Sequence, residues 1–345
     1  MVSIVIPHYL GDILSECRGF VYERPSAIAF EVIVADDQPH DDGSLGRAKE
    51  QFPEIQIVET GGGKGMGAGC NRGLEVARGK YGFLLNNDVE VAEGWLPPLL
   101  NLMEGDASIG ACQPKVRSLK ERTRFDYGGA AGGMIDLLGF TFCRGRIFEV
   151  VEEDQGQYDQ SVDIFWAIGG AMFVRMSCLE RTGMMDEAFV MHMEEIDLCW
   201  RFHLAGYRIV SVPGSLVYHY GGFSLEAESF RKTYFNHRNQ LVMMLKNWSF
   251  ARLIWIFPVR ILLMKSTLFL ALLKGDWKHP VGFLAGVLWI ITHPISIWRR
   301  RRSAQRVRTT SDVQVMNRMY RGSVVWDYFV RGKRTVSSLL GTPGG

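Results

Sequence analysis

Tyr81-Gly-Phe-Leu-Leu-Asn-Asn-Asp88 is a short apolar run that breaks off in two amides and a carboxylate. A few apolar residues bounded by polar turn formers read as a buried strand. The same punctuation recurs upstream. Ile55-Gln-Ile-Val58 runs towards the glycine cluster Gly61-Gly-Gly-Lys-Gly-Met-Gly-Ala-Gly69, and Glu31-Val-Ile-Val-Ala35 runs into Asp36-Asp37. Val2-Ser-Ile-Val-Ile-Pro7 opens the series and stops at a proline. Helix-like stretches separate the runs, one reaching to about Ala29 and another over Asn71–Arg78. Strands alternating with helices at this pitch predict an α/β fold, a mostly parallel sheet with helices on both faces. Ligands of such sheets bind at the carboxyl edge, where three of these four runs turn polar or glycine-rich.

Downstream the pattern loosens between about 105 and 165, which suggests an insert or mixed sheet. Phe165–Val174 reads as a strand, Met184–Gly206 contains a helix, and Ile209–Val212 is a strand ended by Pro213. Beyond about 230 only helices are expected. The chain of 345 residues therefore divides into a domain over 1–230, apolar helices over 231–310 and a tail over 311–345. The first domain splits into a nucleotide side at about 1–105 and an acceptor side at about 106–230. Its 19 Lys/Arg oppose 34 Asp/Glu, whereas residues 231–345 hold 20 against 3, so a net charge of +2 conceals −15 and +17. The acidic part suits metal and hydroxyl chemistry. The basic part suits an anionic surface, and its long aliphatic runs favour lipid over nucleic acid. None of the six cysteines forms a CxxC pair, and Met1 leads straight into a strand-like run, so neither zinc, a disulfide framework nor a signal peptide is expected.

Five motifs carry chemistry. Asp36 and Asp37 end a strand, where carboxylates accept hydrogen bonds from a base N–H or a ribose hydroxyl, or simply form a turn. The glycine cluster lets backbone approach a bulky ligand, with Lys64 for a phosphate, but it has neither P-loop nor dinucleotide spacing. Asp88, with Asn86 as a weaker neutral partner, can hold a hard cation against a diphosphate, or cap the helix at Gly94–Met103. Glu194, Glu195 and Asp197 crowd a helix start beside Met191 and Met193, a setting that raises a carboxylate pKa and makes a general base. Asp197 with Arg201 reads as a helix pair at i,i+4. His219, in Val217-Tyr-His-Tyr-Gly-Gly-Phe-Ser224, is a satisfied core residue or reaches the metal.

In this order the motifs resemble the inverting family-2 glycosyltransferases of the GT-A fold, a Rossmann-like sheet, and within them a rhamnosyltransferase-like branch that builds surface polysaccharides of the cell envelope. The likeness spans roughly residues 1–310. Its most specific stretches are Cys70-Asn71-Arg72-Gly73, Leu84–Val89 with Gly94-Trp95-Leu96, Met193–Arg201 with Ala205-Gly206-Tyr207, His219, and Tyr234-Phe-Asn-His-Arg238-Asn239. The resemblance implies that Pro7, Asp36, Asp37, Lys64, Asn71, Arg72, Asn86, Asn87 and Asp88 bind the donor. Asp88 anchors a DxD-type site for Mn²⁺ or Mg²⁺, completed by His219. Glu195 is the base, Glu194 supports it, and Trp166, Gly169, Gly170 and Ala171 line the acceptor side. The first acid of the usual DxD is Asn86 here, the serine-bearing turn is Gln38-Pro39, and an asparagine before the glycine cluster is Gly63. The implied donor is dTDP-rhamnose or a UDP-sugar, and the acceptor a lipid-linked or glycan hydroxyl. The QxxRW motif of processive synthases is absent, so one or a few sugars would be added per encounter. A non-catalytic scaffold and a nucleotidyltransferase are the alternatives.

Leu253–Leu273 carries Arg260 and Lys265, and Val281–Trp298 is uncharged but interrupted by Pro294. With flanking tryptophans and Arg299–Arg302, these segments read as in-plane or re-entrant helices on the cytoplasmic face of a membrane rather than spans. Because the motifs precede it, a cut near 245 would be expected to leave a donor-binding domain.

Overall fold

In the computed structural model the described residues are 1–11, 21, 28–221, 229–273 and 275–341. The helix expected to reach Ala29 and the end of the His219 motif, Gly222–Ser224, lie largely outside them.

The four apolar runs are strands β1 (Val2–His8), β2 (Phe30–Asp36), β3 (Gln56–Glu59) and β4 (Tyr81–Leu85), with helices α1 (Ser44–Gln51) and α2 (Met66–Val76) between them. They pair in parallel, in the order β3-β2-β1-β4. Register sets His8 beside Asp36 and Asp36 beside Glu59, so the polar ends fall on one edge. Pro7 stays inside β1 rather than ending it. All five residues of β4 are buried, as expected of a strand covered on both faces. The cover is close: a side chain at Gly73 of α2 would come within 2.3 Å of Val5 Cγ1, so only glycine lets this helix lie down on β1.

Beyond β4 come β5 (Val89–Val91), helix α3 (Leu96–Gly105), which starts with Pro97 in its first turn, and β6 (Ile109–Ser118). The loosely patterned insert is a small antiparallel sheet of β7 (Gly133–Ile135), β8 (Thr141–Cys143), β9 (Arg146–Ile147) and β10 (Val150–Val151). The main sheet resumes with β11 (Val162–Asp163) and β12 (Ala171–Arg175), then helices α4 (Met176–Thr182) and α5 (Glu194–Leu204), and β13 (Arg208–His219). β12 is antiparallel to its neighbours β4 and β6, while β6 and β13 are parallel. Two expectations are corrected. The strand read over Phe165–Val174 starts only at Ala171, because Gly169-Gly170 turn the chain first. Pro213 does not end β13, because a register shift between Val212 and Leu216 absorbs it and the strand continues to His219.

Helices α6 (Phe230–Asn247), α7 (Phe250–Leu273), α8 (Lys278–Thr292) and α9 (Pro294–Arg306) form the basic half. Pro294 bends α8 and α9 by 82°, and among the described residues no single helix is long and apolar enough to cross a membrane. The bundle is keyed into the sheet domain: Trp248 is fully buried, edge-on to Trp200 at 5.2 Å. The last segment is not a free tail. Asp136 of the insert pairs with Tyr320 and accepts from the Val324 N–H at 3.0 Å, Tyr328 meets Phe148 edge-on at 4.8 Å, and the Val336 N–H reaches Glu152.

Candidate active site

Asp37 organises the glycine loop. One carboxylate oxygen accepts from the Lys64 N–H at 2.8 Å and the Thr60 hydroxyl at 2.5 Å, the other from the Gly65 N–H at 2.7 Å. These bonds give Asp37 a supporting role for the loop, while Asp36, bonded to the Gln38 N–H, lies nearer the surface. Gly65 has φ of +96°, and a side chain there would come 2.0 Å from the Val190 carbonyl, so the loop is wedged against the turn that precedes α5. Lys64 is exposed on this loop.

The β4 end forms the second wall. The Asn86 N–H donates to Gly170 O at 3.0 Å, and the Asn87 amide lies 3.2 Å from His8 Nδ1, whose Nε2 meets Ser44 Oγ at 2.9 Å. Asp88 is buried, and β13 delivers His219 beside it because His219 pairs with Val89 in the ladder. His219 Nε2 lies 3.2 Å from Asp88 Oδ1, and Nδ1 lies 3.1 Å from Asp126 Oδ1. Burial alone would depress this imidazole, but Asp126 and Asp88 on its two sides push it up to about 10.

These residues fit a divalent cation. Asp88 Oδ1 is buried without an aligned hydrogen-bond partner, and 3.2 Å matches the roughly 3 Å between neighbouring ligands of a cation at about 2.1 Å. Asp126 stands where a carboxylate orients a metal-bound histidine through its other nitrogen. Among the described residues no cluster of three or more His, Cys, Asp or Glu ligands forms. Water and substrate oxygens would complete the shell, the usual arrangement for Mg²⁺ at a phosphate.

Glu194 and Glu195 open α5 and make up the third wall. Each has an Oε2 buried without a partner. Burial raises both carboxyls, Glu195 to about 7, and the charge of Glu195 drives Glu194 higher still. A side chain at Gly169 would lie 3.4 Å from Glu195 Cβ, and one at Gly170 would strike the Asn86 amide at 2.7 Å. This glycine pair therefore joins the Asp88 turn to Glu195. Ala171 is buried as the first residue of β12.

Three expected site residues are elsewhere. Asn71 is buried and spends its amide on Met185 N–H and O and on Glu187, tying α2 to the segment before α5. Arg72 is on the outer surface with Glu59 O and Glu75. Trp166 is a strut, its Nε1 donating to Met134 O at 2.9 Å and its ring filling the space over Gly133. Conversely, the sequence motifs do not include His8 or Asp126, and Asn239 figures there only as the end of the Tyr234–Asn239 stretch, with no role attached to it. Asp126 precedes a turn whose Gly128 and Gly129 N–H groups it binds, a pattern that sequence reading explains without any ligand.

A mostly parallel sheet with a glycine loop, a strand-end acid and a pair of glutamates at a helix start near its carboxyl edge is the architecture of GT-A glycosyltransferases. The chain is similar in fold to the crystal structure of GalNAc-T7 with UDP, GalNAc and Mn²⁺ (TM-score 0.57, 16% identity, 72% of this chain and 48% of that one). It is also similar to the mannosyltransferase PcManGT from Pyrobaculum calidifontis in complex with GDP-Man and Mn²⁺ (TM-score 0.50, 14% identity, 89% of this chain and 85% of that one). Residues 3–179 match Glycosyl transferase family 2, and the chain belongs to that family. It shares 27% identity over 218 residues with the N-acetylglucosaminyl-diphospho-decaprenol L-rhamnosyltransferase of Mycobacterium tuberculosis, covering 59% of this chain and 69% of the relative. Rhamnosyltransferase WbbL of Escherichia coli is 42% identical over 55 residues, 16% of this chain and 21% of that protein. The protein is a glycosyltransferase.

Proposed function

We propose that this glycosyltransferase moves rhamnose or a hexose, from dTDP-rhamnose or a UDP-sugar, to a lipid-linked or glycan acceptor in surface glycan assembly. The observation that carries the mechanism is the half-buried Glu195, its Oε2 unpartnered, held by Gly169-Gly170 against the Asp88 turn. Glu195 takes the proton of the acceptor hydroxyl as that oxygen attacks the anomeric carbon from the face opposite the nucleotide, so configuration inverts. Only one of two adjacent buried carboxyls is readily charged, so Glu194 keeps its proton and leaves Glu195 as the base. Mn²⁺ or Mg²⁺, held by Asp88 and His219, would offset the charge of the departing diphosphate. Asp126, 3.1 Å from His219 Nδ1, would favour a proton on that nitrogen, and the loop carrying Lys64 closes the nucleotide side. Support for the donor class comes from the nucleotide sugars in the related structures, and for the acceptor from the rhamnosyltransferase relative.

A panel of nucleotide sugars, read by thermal shift with Mn²⁺ and with EDTA, tests donor and metal together. At a hundred times Kd a bound donor stabilises by about 2.7 kcal/mol. The dTDP-rhamnose shift is expected to shrink in EDTA, and Asp88→Ala should lose that metal dependence. Equal shifts with and without metal would remove the cation from the reading.

The membrane is proposed as the second partner, engaged from the cytoplasmic side. Trp255, Leu262, Leu284, Leu288, Ile291, Ile295 and Trp298 are exposed on α7, α8 and α9, a large apolar face for a water-facing surface. The arginine block is divided in its roles. Arg300 pairs with Asp186, and Arg301 donates to the carbonyls of Leu245 and Trp248, whereas Arg299 and Arg302 are exposed. The double substitution Arg299→Ser with Arg302→Ser should weaken binding to anionic vesicles by about 2 kcal/mol, taking about 1 per residue, and barely change binding to neutral ones. A wild-type protein that stays free of anionic vesicles at low salt would refute the membrane reading.

A further inference from the structure

The turn that launches α5 is held in an unfavourable backbone conformation. Val190, His192 and Met193 have φ of +63°, +65° and +74°, and none is glycine. The left-handed region is costly for such residues, most of all for a β-branched valine, and persists only where surroundings impose it. Met193 is the residue before Glu194, and no side chain caps the helix there.

Two elements impose the conformation. On one side the glycine loop leaves just enough room for the Val190 carbonyl at Gly65. On the other, Asn239 of α6 is fully buried, and its Nδ2 lies 2.9, 2.7 and 2.9 Å from the carbonyls of Phe189, Met191 and His192. Arg238 extends the same grip: its Nε donates to Asn239 Oδ1 at 2.9 Å and its Nη2 to Ala188 O at 2.5 Å. The left-handed residues turn these carbonyls towards one amide, and that amide is anchored on a helix outside the sheet domain.

We infer that Asn239 is a positioning residue of the glycosyl transfer, fixing the strained Val190–Met193 turn and thereby the place of Glu195 relative to the donor loop. This rests on Glu195 as the base. A hydrogen-bonded turn that merely stabilised the fold would need no unusual backbone. Here the strain is located between the nucleotide loop and the base, where a small relaxation separates them. The reaction is sensitive to such displacement because proton transfer needs hydrogen-bond reach.

The experiment compares the full-length Asn239→Ala and Asn239→Ser variants with Glu195→Gln and with Leu339→Ala, a core truncation far from the site. Measurements are kcat, donor KM and the melting temperature, with rates taken well below melting. Asn239→Ala is expected to lower kcat at least tenfold with donor KM within about twofold, and Asn239→Ser, retaining one donor, to recover part of the rate. Leu339→Ala should lose stability and keep kcat. If Asn239→Ala or, should it not fold, Asn239→Ser turns over like the wild type while Glu195→Gln is dead, the positioning role is overturned and the base stands. If Leu339→Ala loses as much kcat as Asn239→Ala for the same drop in melting temperature, the loss reflects stability and the positioning role is also overturned. An active Glu195→Gln instead removes the base itself.

Discussion

Glu195→Gln is expected to lower kcat by roughly 10²–10⁴-fold, the usual contribution of a positioned general base, while donor affinity stays nearly unchanged. The substitution keeps the shape of the side chain and removes only its capacity to take a proton. The nucleotide loop is held by the Lys64 and Gly65 N–H groups on Asp37, bonds in which Glu195 takes no part, so a change of the same shape at Glu195 leaves them in place. The wild-type pH profile follows from the same burial. The carboxyl is raised from 4.5 to about 7, so the basic form appears, and kcat climbs, as pH rises through about 7. For stability the sign is opposite. A carboxyl raised by folding favours the folded state while it remains protonated and costs stability once pH passes above 4.5 towards 7. Glu195→Gln should therefore show a shallower decline of stability over that window, with the ascending limb of the rate profile gone. Turnover like that of the wild type, with its ascending limb intact, would place the base elsewhere, and a dead enzyme with wild-type donor affinity would exclude a mere scaffold.

The sheet was legible because its strands are short, mainly apolar runs with polar ends, a signal that survives without any tertiary information. Where local chemistry and tertiary context compete, reading along the chain went astray. Pro213 is a strand breaker by its missing N–H, yet β13 passes it by shifting register, and only that extension carries His219 to Asp88. Asn71 and Arg72 lie in one of the most family-like stretches, but the helical period turns Asn71 towards Met185 and Arg72 towards water. Asp126 is 93 residues before His219, and nothing in its own neighbourhood distinguishes it from a turn former. Asn239 stands in a family-like stretch, but its role is not legible there, since it exists only where α6 meets a strained turn some fifty residues upstream.

Removing Lys246 should cost the fold about 3–5 kcal/mol, the usual consequence of stranding a buried charge, and lower the melting temperature by roughly 10 °C. Because the motifs precede it, a cut near 245 is expected from the sequence to leave a donor-binding domain. Lys246 is buried instead, with Nζ 2.5 Å from Asp186 and 2.8 Å from Asp197. Asn247 donates to the other oxygen of Asp197 at 2.8 Å, and Arg201 reaches Asp197 at 3.1 Å. Burial would raise Asp186, but Lys246 and Arg300 hold it down at about 2. The stabilisation from this carboxylate is therefore in place above its ordinary value of 3.8 and is lost as pH falls towards 2. Lys246→Met keeps much of the chain length and deletes the charge, which leaves Asp197 to Arg201 and Asn247 and Asp186 to Arg300 alone. Because Asp197 is on the same helix as Glu195, the damage falls on the catalytic core and not on a detachable bundle. Ending the chain at 245 would remove Lys246, Asn247, the buried Trp248 and Arg300 together, and should give a protein that does not fold. A chain ended at 245 that melts cooperatively and binds donor, or a Lys246→Met variant within about 1 kcal/mol of wild type at pH 7, would show that the catalytic half stands without its basic partner.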